Sequence, residues 1–592
     1  MSDRLSSDLL SSDWAVTDEA WRAAVEKALK GAPFDRLKSK TAEGLLIQPL
    51  YAASLETALP KARAGDWAIA QRIDHTDPQA ANAQILVDLE NGVGALELVF
   101  AGSPRAWFGG LPLDKDALKS VFDGVYLDLI SLRVDAGAAT STAMALISEI
   151  SSERGFDPAE MSILPACDPG ALLASGAVVE SSEIAPIMGC VTVDGRAWHE
   201  AGATTAQELA LVLSSTVAQW RAGTFAEGEA PAMAVTLVAE ADQFATIAKF
   251  RAAQLLFARL FEAVGCDPVA PAMHAETSWR TLTRSDPNVN MLRTTLAALS
   301  AGVGGAASLT VLPFTVASEL ADPFARRVAR NTQSILLEES GLGRVDDPAA
   351  GSGAYQSVTD ALAGEAWALF QSLEAAGGLK EALKAGKPQE WLQTSSATRQ
   401  LAIATRKQPI IGTSLYPVSP DQNASVGRDK ATLPVPTPVE GFIAQPIQPM
   451  REAEAFEALT DRAGELGQKL GQRPSVFLAT LGSLARFGDR AAFAKGLFEA
   501  GGFLVPQPQP ATTVQEIVAA FSASGAKVAC IVGADDDYTQ AADLGAELTI
   551  AGAKRVLIAA RPENAPDGFV TEACVHLKVN AVDLLSDLLG LH

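Results

Sequence analysis

The first two thirds of the chain alternate short apolar segments with longer amphipathic ones. Seven apolar segments have the composition and length of buried strands: Ala95–Phe100, Ser131–Asp135, Met161–Pro165, Pro186–Val193, Val235–Ala239, Met273–Trp279 and Ser308–Pro313. Helical patterns lie between them at Ala136–Arg154, Thr204–Ala222, Ala241–Val264 and Asn288–Ala301. Strands and helices that alternate at this spacing form βα units around a parallel sheet, and eight such units close a TIM barrel. We therefore predict a (β/α)8 TIM barrel, with an eighth strand inferred from the count.

A second α/β pattern follows a change in composition. The segment 407–449 carries eight prolines with little periodicity, which is typical of an extended linker lying on the surface. Five short strands are predicted beyond it, at Val476–Leu481, Phe503–Val505, Val528–Val532, Arg555–Ala559 and Val575–Leu577. This spacing favours a flavodoxin-like doubly wound domain. The predicted organisation is an N-terminal arm at 1–40 with a helix at Thr17–Lys30, the barrel at 41–400, a Pro-rich linker at 401–470 and the second domain at 471–592.

Composition narrows the class of protein. The 592 residues include 47 Lys+Arg and 70 Asp+Glu, a formal net charge of −23, which argues against binding to nucleic acid phosphates. Five widely spaced cysteines without a C-x-x-C pair suit the reducing cytosol. The uncharged stretch Thr294–Ser318 contains three glycines and a proline, so we interpret it as a helix, a turn and a strand and not as a membrane span. We expect a cytoplasmic protein.

Three motifs suggest chemistry, and each also has a structural interpretation. His199-Glu200 begins like a zinc-protease box, but Ala203 stands where the second histidine is required. Asp535–Asp537 follow a strand at the ligand-binding edge of the second sheet, where they are interpreted as a solvated acidic loop in preference to a magnesium site. Gly302–Gly305 follow a helix and lack the Gly-Lys-Ser/Thr of a phosphate loop, so a helix C-cap is predicted. No metal site is predicted.

Several longer strings carry a resemblance that extends over nearly the whole chain. They are Phe34–Gly44 with Pro49–Tyr51, Glu200–Ala203, Leu282–Thr295 and, as the most specific stretch, Arg327–Pro348. Together they resemble the methylmalonyl-CoA mutase family. The resemblance implies a barrel, a linker and a cobalamin-type domain. In active members it also implies that adenosylcobalamin starts a radical rearrangement.

The cobalamin-type domain departs from the pattern of active members. Those members carry Asp-x-His-x-x-Gly after the first strand of the domain: the His binds cobalt, the Asp orients it and the Gly leaves room for the cofactor. The same positions here are Leu484, Arg486 and Asp489, and the lysine expected two residues before Gly482 is Thr480. Arginine stays protonated and has no lone pair to offer cobalt. The resemblance therefore implies that this chain binds no cobalamin.

The barrel departs from the pattern as well. Active members place Tyr-His shortly before the Glu-Ala-Gly-Ala string, and that His polarises the thioester carbonyl. Here the two positions read Arg196 and Ala197. On a strand, His199 would share a face with Ala197 but lie about 6–7 Å from it. A catalytic hydrogen bond requires about 3 Å, so the role is not transferred to His199 and no catalytic residue is predicted.

These departures resemble the non-catalytic small (beta) subunits of the heterodimeric enzymes in this family. The implied partner is a large (alpha) subunit that carries adenosylcobalamin, and a GTPase chaperone of the complex is left open as a second partner. Two alternatives also stay open. One is a self-sufficient acyl-CoA-binding barrel enzyme that uses His199, Glu200 or the Asp535–Asp537 loop with a metal, which predicts a converging polar cluster at the carboxyl end of the barrel. The other is the small subunit of a mutase for another branched acyl-CoA.

Overall fold

The computed structural model describes residues 17–54, 65–176, 183–226, 228–268, 270–418, 444–508, 510, 513–566 and 574–591. Residues 1–16 of the predicted arm and residues 419–443 of the predicted linker therefore lie outside the described residues. The arm helix is α1 (Asp18–Leu29), and the Thr17 hydroxyl caps it by accepting from the third residue along. A short antiparallel hairpin, β1 (Ser39–Lys40) and β2 (Leu46–Ile47), leads into the barrel.

Eight parallel strands form the barrel. They are β3 (Ala68–Ile73), β4 (Ala95–Val99), β5 (Ser131–Asp135), β6 (Ser162–Pro165), β7 (Val191–Asp194), β8 (Met233–Ala239), β9 (Met273–Thr277) and β10 (Ser308–Thr310). The ladder runs in the order β6-β5-β4-β3-β10-β9-β8-β7, so the first barrel strand pairs with the last. Within the described residues no ladder joins β6 to β7, and the barrel is nearly closed. The predicted TIM barrel is confirmed.

The eighth strand is β3, which precedes the seven that the pattern predicted. Its sequence is interrupted by Gln71 and Arg72, so it does not read as an apolar run. Both residues are nevertheless buried. Gln71 donates to the carboxylate of Asp88 at 3.4 Å, and Arg72 pairs with Asp74 at 2.8 Å. A contact with Asp88 of the next helix and a local ion pair thus compensate for polar residues that would otherwise be unfavourable in a buried strand.

Helices surround the sheet and supply the apolar core between sheet and surface. They are α2 (Pro78–Glu90), α3 (Lys115–Val121), α4 (Thr140–Glu153), α5 (Pro169–Ser175), α6 (Gly195–Glu200), α7 (Thr205–Ala222), α8 (Gln243–Ala263), α9 (Pro287–Gly304), α10 (Pro323–Ser334), α11 (Gly353–Ala375), α12 (Leu379–Lys384) and α13 (Lys387–Ala404). Gly305 ends α9 in the left-handed conformation at φ 104°, as the C-cap interpretation predicted. Strand β10 follows. Among the helices of the described ranges, none is long and apolar enough to cross a membrane.

The second module contains a smaller parallel sheet. Its elements are α14 (Glu454–Leu470), β11 (Val476–Thr480), α15 (Leu484–Ala500), α16 (Val514–Ser524), β12 (Val528–Val532), α17 (Ala541–Ile550), β13 (Arg555–Ile558) and α18 (Ala581–Leu589). The order β11-β12-β13 is extended at its edges by single bridges from Ser475 to Leu504 and from Ile558 to Cys574. If the five strands are numbered in chain order, β11 is the first, the segment at Leu504 the second and the segment at Cys574 the fifth. The spatial order is then 2-1-3-4-5, the arrangement of flavodoxin-like folds. The two edge strands are shorter than predicted.

Candidate functional site

Charged side chains occupy the centre of the barrel. Glu97 lies in the middle of β4, Arg133 lies in the middle of β5, and Glu276 is the fourth of the five residues of β9; all three are buried. Arg133 reaches across the lumen to β8, where its Nη2 donates to Thr236 Oγ1 at 2.5 Å. Successive side chains of a strand point to opposite faces, so these residues point inward while their neighbours pack against the helices. TIM barrels usually fill this space with branched apolar side chains. This barrel fills it with charges.

Arg196 lies at the centre of the charge network. Helix α6 begins directly after β7, and the Asp194 carboxylate caps it by accepting from the Arg196 backbone N–H at 2.9 Å. The Arg196 guanidinium is fully buried. It pairs with Glu97, with Glu276 at 2.9 Å and with Asp194 at 2.9 Å. Burial by itself lowers the pKa of Arg196, but these three carboxylates outweigh burial and raise the pKa well above its usual value.

A second arginine extends the network toward the mouth of the barrel. Arg105, in the loop after β4, pairs with Glu200 at 2.7 Å and also with Glu276. Its guanidinium lies 4.8 Å from the centre of the Trp107 ring, and that of Arg72 lies 4.7 Å from it. Burial raises the pKa of Glu276 to about 7, although Arg105 acts in the opposite direction. The carboxylates of the lumen thus find their counter-ions within the chain itself.

Ala197 borders a small cavity beneath the barrel mouth. The cavity has a volume of about 50 Å³, its wall includes Asp168, and Ile447 and Pro449 contribute to its lining. Burial raises the pKa of Asp168 to about 7. A buried water needs at least about 10–15 Å³ of such volume. The cavity therefore has room for a few waters, whereas pockets for larger ligands measure roughly 300 Å³ or more.

The chain covers the mouth of its own barrel with residues 447–450. The backbone N–H of Ile447 donates to the Ala174 carbonyl at 2.9 Å, and that of Met450 donates to the Glu200 carbonyl at 2.9 Å. These bonds lie at the carboxyl ends of the strands, where ligands of TIM barrels bind. The described end of the predicted linker is therefore integrated into the barrel at this point, and Ile447 is only 6% exposed.

His199 lies on helix α6 and not on a strand, which corrects the geometry expected from the sequence. The strand ends at Asp194 because that side chain caps the helix. Two residues along a helix are separated by about 200°, so His199 and Ala197 do not share a face. Nε2 of His199 is 2.8 Å from Ser278 Oγ, and Nδ1 is 3.3 Å from Glu208. Burial, reinforced by nearby cationic side chains, lowers the pKa of His199 well below its usual value.

Ser278, His199 and Glu208 follow the order of a hydrolase triad, but their surroundings do not support nucleophilic catalysis. All three are buried, and Lys249 Nζ holds the Glu208 carboxylate at 2.6 Å. Ser278 does not line the cavity beneath the mouth. A nucleophile requires space for the reacting carbonyl and for donors about 3 Å from it. We interpret the three residues as a structural hydrogen-bonded group.

The alternative of a self-sufficient enzyme predicted a converging polar cluster at this end of the barrel. A cluster is present, but its charges pair with one another. No group of three or more His, Cys, Asp or Glu side chains that could hold a metal ion occurs in the part of the chain that the structure describes. The cluster therefore offers neither a metal centre nor an open substrate pocket of useful size.

The positions that correspond to the cobalt-binding motif lie on β11 and α15. Thr480 ends β11 and is buried, whereas Leu484 is 63% exposed and Asp489 is also exposed. Arg486 Nε pairs with the Asp537 carboxylate at 2.8 Å. A guanidinium has no lone pair for cobalt, and this one already binds a carboxylate. The residues at these positions do not fit a cobalamin held by an imidazole.

The acidic loop after β12 is fastened against the end of β13. The buried Tyr538 hydroxyl donates to the Ala559 carbonyl at 2.8 Å and accepts from the Gly533 N–H at 3.3 Å. Arg490 on α15 lies 5.3 Å from the centre of the tyrosine ring and pairs with Asp535 at 2.5 Å. All three aspartates thus lie within 4.0 Å of an arginine of α15, since Arg486 also reaches Asp536, and the loop is less freely solvated than the sequence predicted.

Sequence reasoning missed the residues that fill the lumen. For Glu97, Arg133 and Glu276 a signal was available, because strands of a parallel barrel are expected to be apolar along their whole length. A charge at the centre of such a strand indicates an inward position with a partner across the barrel. Arg105 lies in a loop without periodicity, and no sequence pattern predicts its contact with Glu276.

Comparison with known proteins decides the family. The family model described as methylmalonyl-CoA mutase matches residues 177–433. The methylmalonyl-CoA mutase small subunit of Streptomyces virginiae is 38% identical to this chain, over 94% of this chain and 95% of its own length. This chain belongs to the methylmalonyl-CoA mutase family. The resemblance recognised in the sequence is thereby confirmed.

Similarity within the methylmalonyl-CoA mutase family is not uniform. The small subunit of Propionibacterium freudenreichii subsp. shermanii is 33% identical over 97% of this chain and 95% of its own length. The methylmalonyl-CoA mutase of Cereibacter sphaeroides is 30% identical, but over 67% of this chain and 64% of its own length. The similarity to these small subunits therefore extends over more of the chain.

Proposed function

We propose that this chain is the non-catalytic small (beta) subunit of a heterodimeric, adenosylcobalamin-dependent methylmalonyl-CoA mutase. In this proposal the large (alpha) subunit binds adenosylcobalamin and interconverts methylmalonyl-CoA and succinyl-CoA, while this chain stabilises it. Relatives named small subunits, similar over more than nine tenths of the chain, support the pairing. The observation that carries the non-catalytic role is the buried ion network around Arg196.

The network argues against chemistry in this barrel. A radical rearrangement needs a water-free cavity that holds both the substrate and the reactive part of the cofactor. Here the Arg196 guanidinium occupies the lumen, and Ala197 has no side-chain hydrogen bond to offer a thioester. Withdrawing one partner of a buried ion pair costs about 3–5 kcal/mol. Arg196 is therefore a permanent part of the interior and not a gate that opens for substrate.

The second module supports the same role. Arg486 stands where cobalt would require an imidazole and is engaged by Asp537. Tyr538 and its hydrogen bonds join the two loops at the edge where a ligand of this fold would enter. The proposal therefore assigns the cofactor to the large subunit alone. A stable, permanent interface with that subunit would bury more than roughly 2,000 Å².

The test compares the isolated chain with the co-expressed pair. After incubation with adenosylcobalamin and removal of the free cofactor, we expect corrinoid absorbance and mutase turnover from the pair and neither from the isolated chain. The large subunit purified alone serves as the control for the stabilising role, and we expect it to lose activity faster on warming than the pair. Turnover or retained corrinoid in the isolated small chain would refute the proposal.

The remaining alternatives are distinguished by the same preparations. A mutase for another branched acyl-CoA predicts turnover of that thioester and not of methylmalonyl-CoA by the pair. A self-sufficient enzyme predicts turnover by the isolated chain, and the internally paired charges of the barrel mouth make it the less supported reading. Contact with a GTPase chaperone stays a prediction, which co-purification of the pair with that chaperone would test.

A further inference from the structure

An open groove lies between the segment that follows helix α13 and helix α15 of the second module. Its volume is about 630 Å³, and its apolar lining includes Pro409, Leu415, Tyr416, Pro417, Phe493 and Leu577. Tyr416 is 77% exposed and Leu577 is 70% exposed. Single exposed apolar side chains are common on protein surfaces, but a cluster of them marks a contact surface.

The groove also contains a cation that has no acidic partner among the residues that the structure describes. Arg406 stacks on Phe493, with its guanidinium 4.7 Å from the ring centre. Burial lowers the pKa of Arg406, and no acidic group of the described chain offsets that effect. Glu499, which also lines the groove, lies 3.7 Å from Lys495 instead. A partly buried charge is unfavourable without a counter-ion, and an arginine fork binds an incoming carboxylate strongly.

Backbone conformation singles out the same place. Four non-glycine residues of the described chain have positive φ: Lys30, Met188, Arg406 and Tyr416. Two of the four line this groove. The left-handed conformation costs roughly 1–2 kcal/mol for a residue with a Cβ. Strain of this kind persists where surrounding structure enforces it, and it concentrates at binding sites.

We propose that this groove docks a segment of the large subunit that carries apolar side chains and a carboxylate. The inference rests on the proposed function and names the surface through which it is exercised. Arg406 supplies the charge that the incoming carboxylate complements. The exposure of Tyr416 and Leu577 leaves the groove open on one side, which suits a polypeptide better than an enclosed small ligand. Because the groove is lined by residues 406–417 and by the second module, one docked segment would contact the linker and the second module together.

The test uses full-length chains and two apolar-to-charged substitutions, Tyr416→Asp and Leu577→Asp. The matched control is Tyr126→Asp, because Tyr126 is 67% exposed and precedes β5 at the amino end of the barrel. Dissociation constants with the large subunit are measured by analytical ultracentrifugation, after thermal unfolding has shown that each variant folds. We expect the two groove variants to bind at least about tenfold more weakly, and the control to stay within about twofold of the unaltered chain.

Substitution of the cation tests the carboxylate separately. Arg406→Gln should weaken binding and reduce its dependence on salt, while Arg406→Lys should keep most of that dependence. Unchanged affinity in Tyr416→Asp and Leu577→Asp, with a complex that still forms, overturns the groove assignment and leaves the proposed function intact. Absence of any complex with the unaltered chain overturns the proposed function itself. Self-association of the isolated chain that Tyr416→Asp abolishes would assign the groove to a second copy and overturn the inference.

Discussion

Replacing Arg196 by methionine tests whether one cation holds the lumen of the barrel together. Methionine keeps an unbranched side chain of similar reach but removes the charge. Glu97 and Asp194 would then lose the guanidinium that binds them, while Glu276 would keep Arg105. Removing one partner of a buried ion pair costs about 3–5 kcal/mol, because the remaining charge is left without compensation. We expect the free energy of unfolding to fall by about that amount.

The size of the loss should depend on pH with a defined sign. In the unaltered protein burial raises the pKa of Glu97, but Arg196, acting together with His274, Arg72 and Arg133, outweighs burial and holds the pKa well below its usual value. The stability that this pair contributes is therefore present above the unfolded pKa and is lost as the pH falls through the folded one. In the variant, burial is opposed only by the smaller effects of His274, Arg72 and Arg133, so we expect the pKa of Glu97 to rise above its usual value and the folded state to bind the proton more tightly than the unfolded state. The difference between the two proteins should be larger near pH 8 than near pH 5.

Urea unfolding followed by tryptophan fluorescence is a suitable assay, because Trp107 and Trp279 stack 5.1 Å apart beside the network. The matched control is Arg259→Met on α8, where Arg259 and Glu262 form a pair whose side chains are 62% and 61% exposed. An exposed pair contributes little, so this control should change stability by less than about 1 kcal/mol. If Arg196→Met lay within about 1 kcal/mol of the unaltered chain near pH 8, the network would not hold the interior as argued.

Three further predictions concern other parts of the chain. Burial raises the folded pKa of Asp168 from 3.8 to about 7, so between these pH values the folded state binds more protons than the unfolded state. The free energy of unfolding should therefore fall as the pH rises from about 4 to about 7. Asp168→Asn should flatten that slope in a pH series of thermal unfolding. A Cβ at Gly302 would lie 2.5 Å from the Trp67 ring, so Gly302→Ala should lower the free energy of unfolding in urea by about 1–3 kcal/mol. The control is Gly364→Ala on α11, where a Cβ would meet open space, and it should raise the free energy of unfolding by about 0.5–1 kcal/mol. Tyr538→Phe should destabilise the second module by about 1–3 kcal/mol, measured by hydrogen exchange of its strands in the full chain, because a buried carbonyl loses its donor.

The sequence by itself determined the architecture. Hydrophobic periodicity is a local property, so seven barrel strands, the main helices and the second doubly wound module follow from spacing alone. The first barrel strand escaped this reasoning because Gln71 and Arg72 break its apolar run, and their partners are visible only in three dimensions. The family strings likewise required no structure, since they are matches along the chain.

The content of the candidate site was decided by the tertiary structure. Arg196 and Glu97 are 99 residues apart, and Arg196 and Glu276 are 80 apart, so no local pattern pairs them. They meet because closing the sheet brings the inward faces of β4 and β9 and the start of α6 to one axis, where a charge must find a partner or remain costly. His199 was misplaced for a local reason: the Asp194 side chain caps α6 directly after β7, so the residues that follow the strand form a helix.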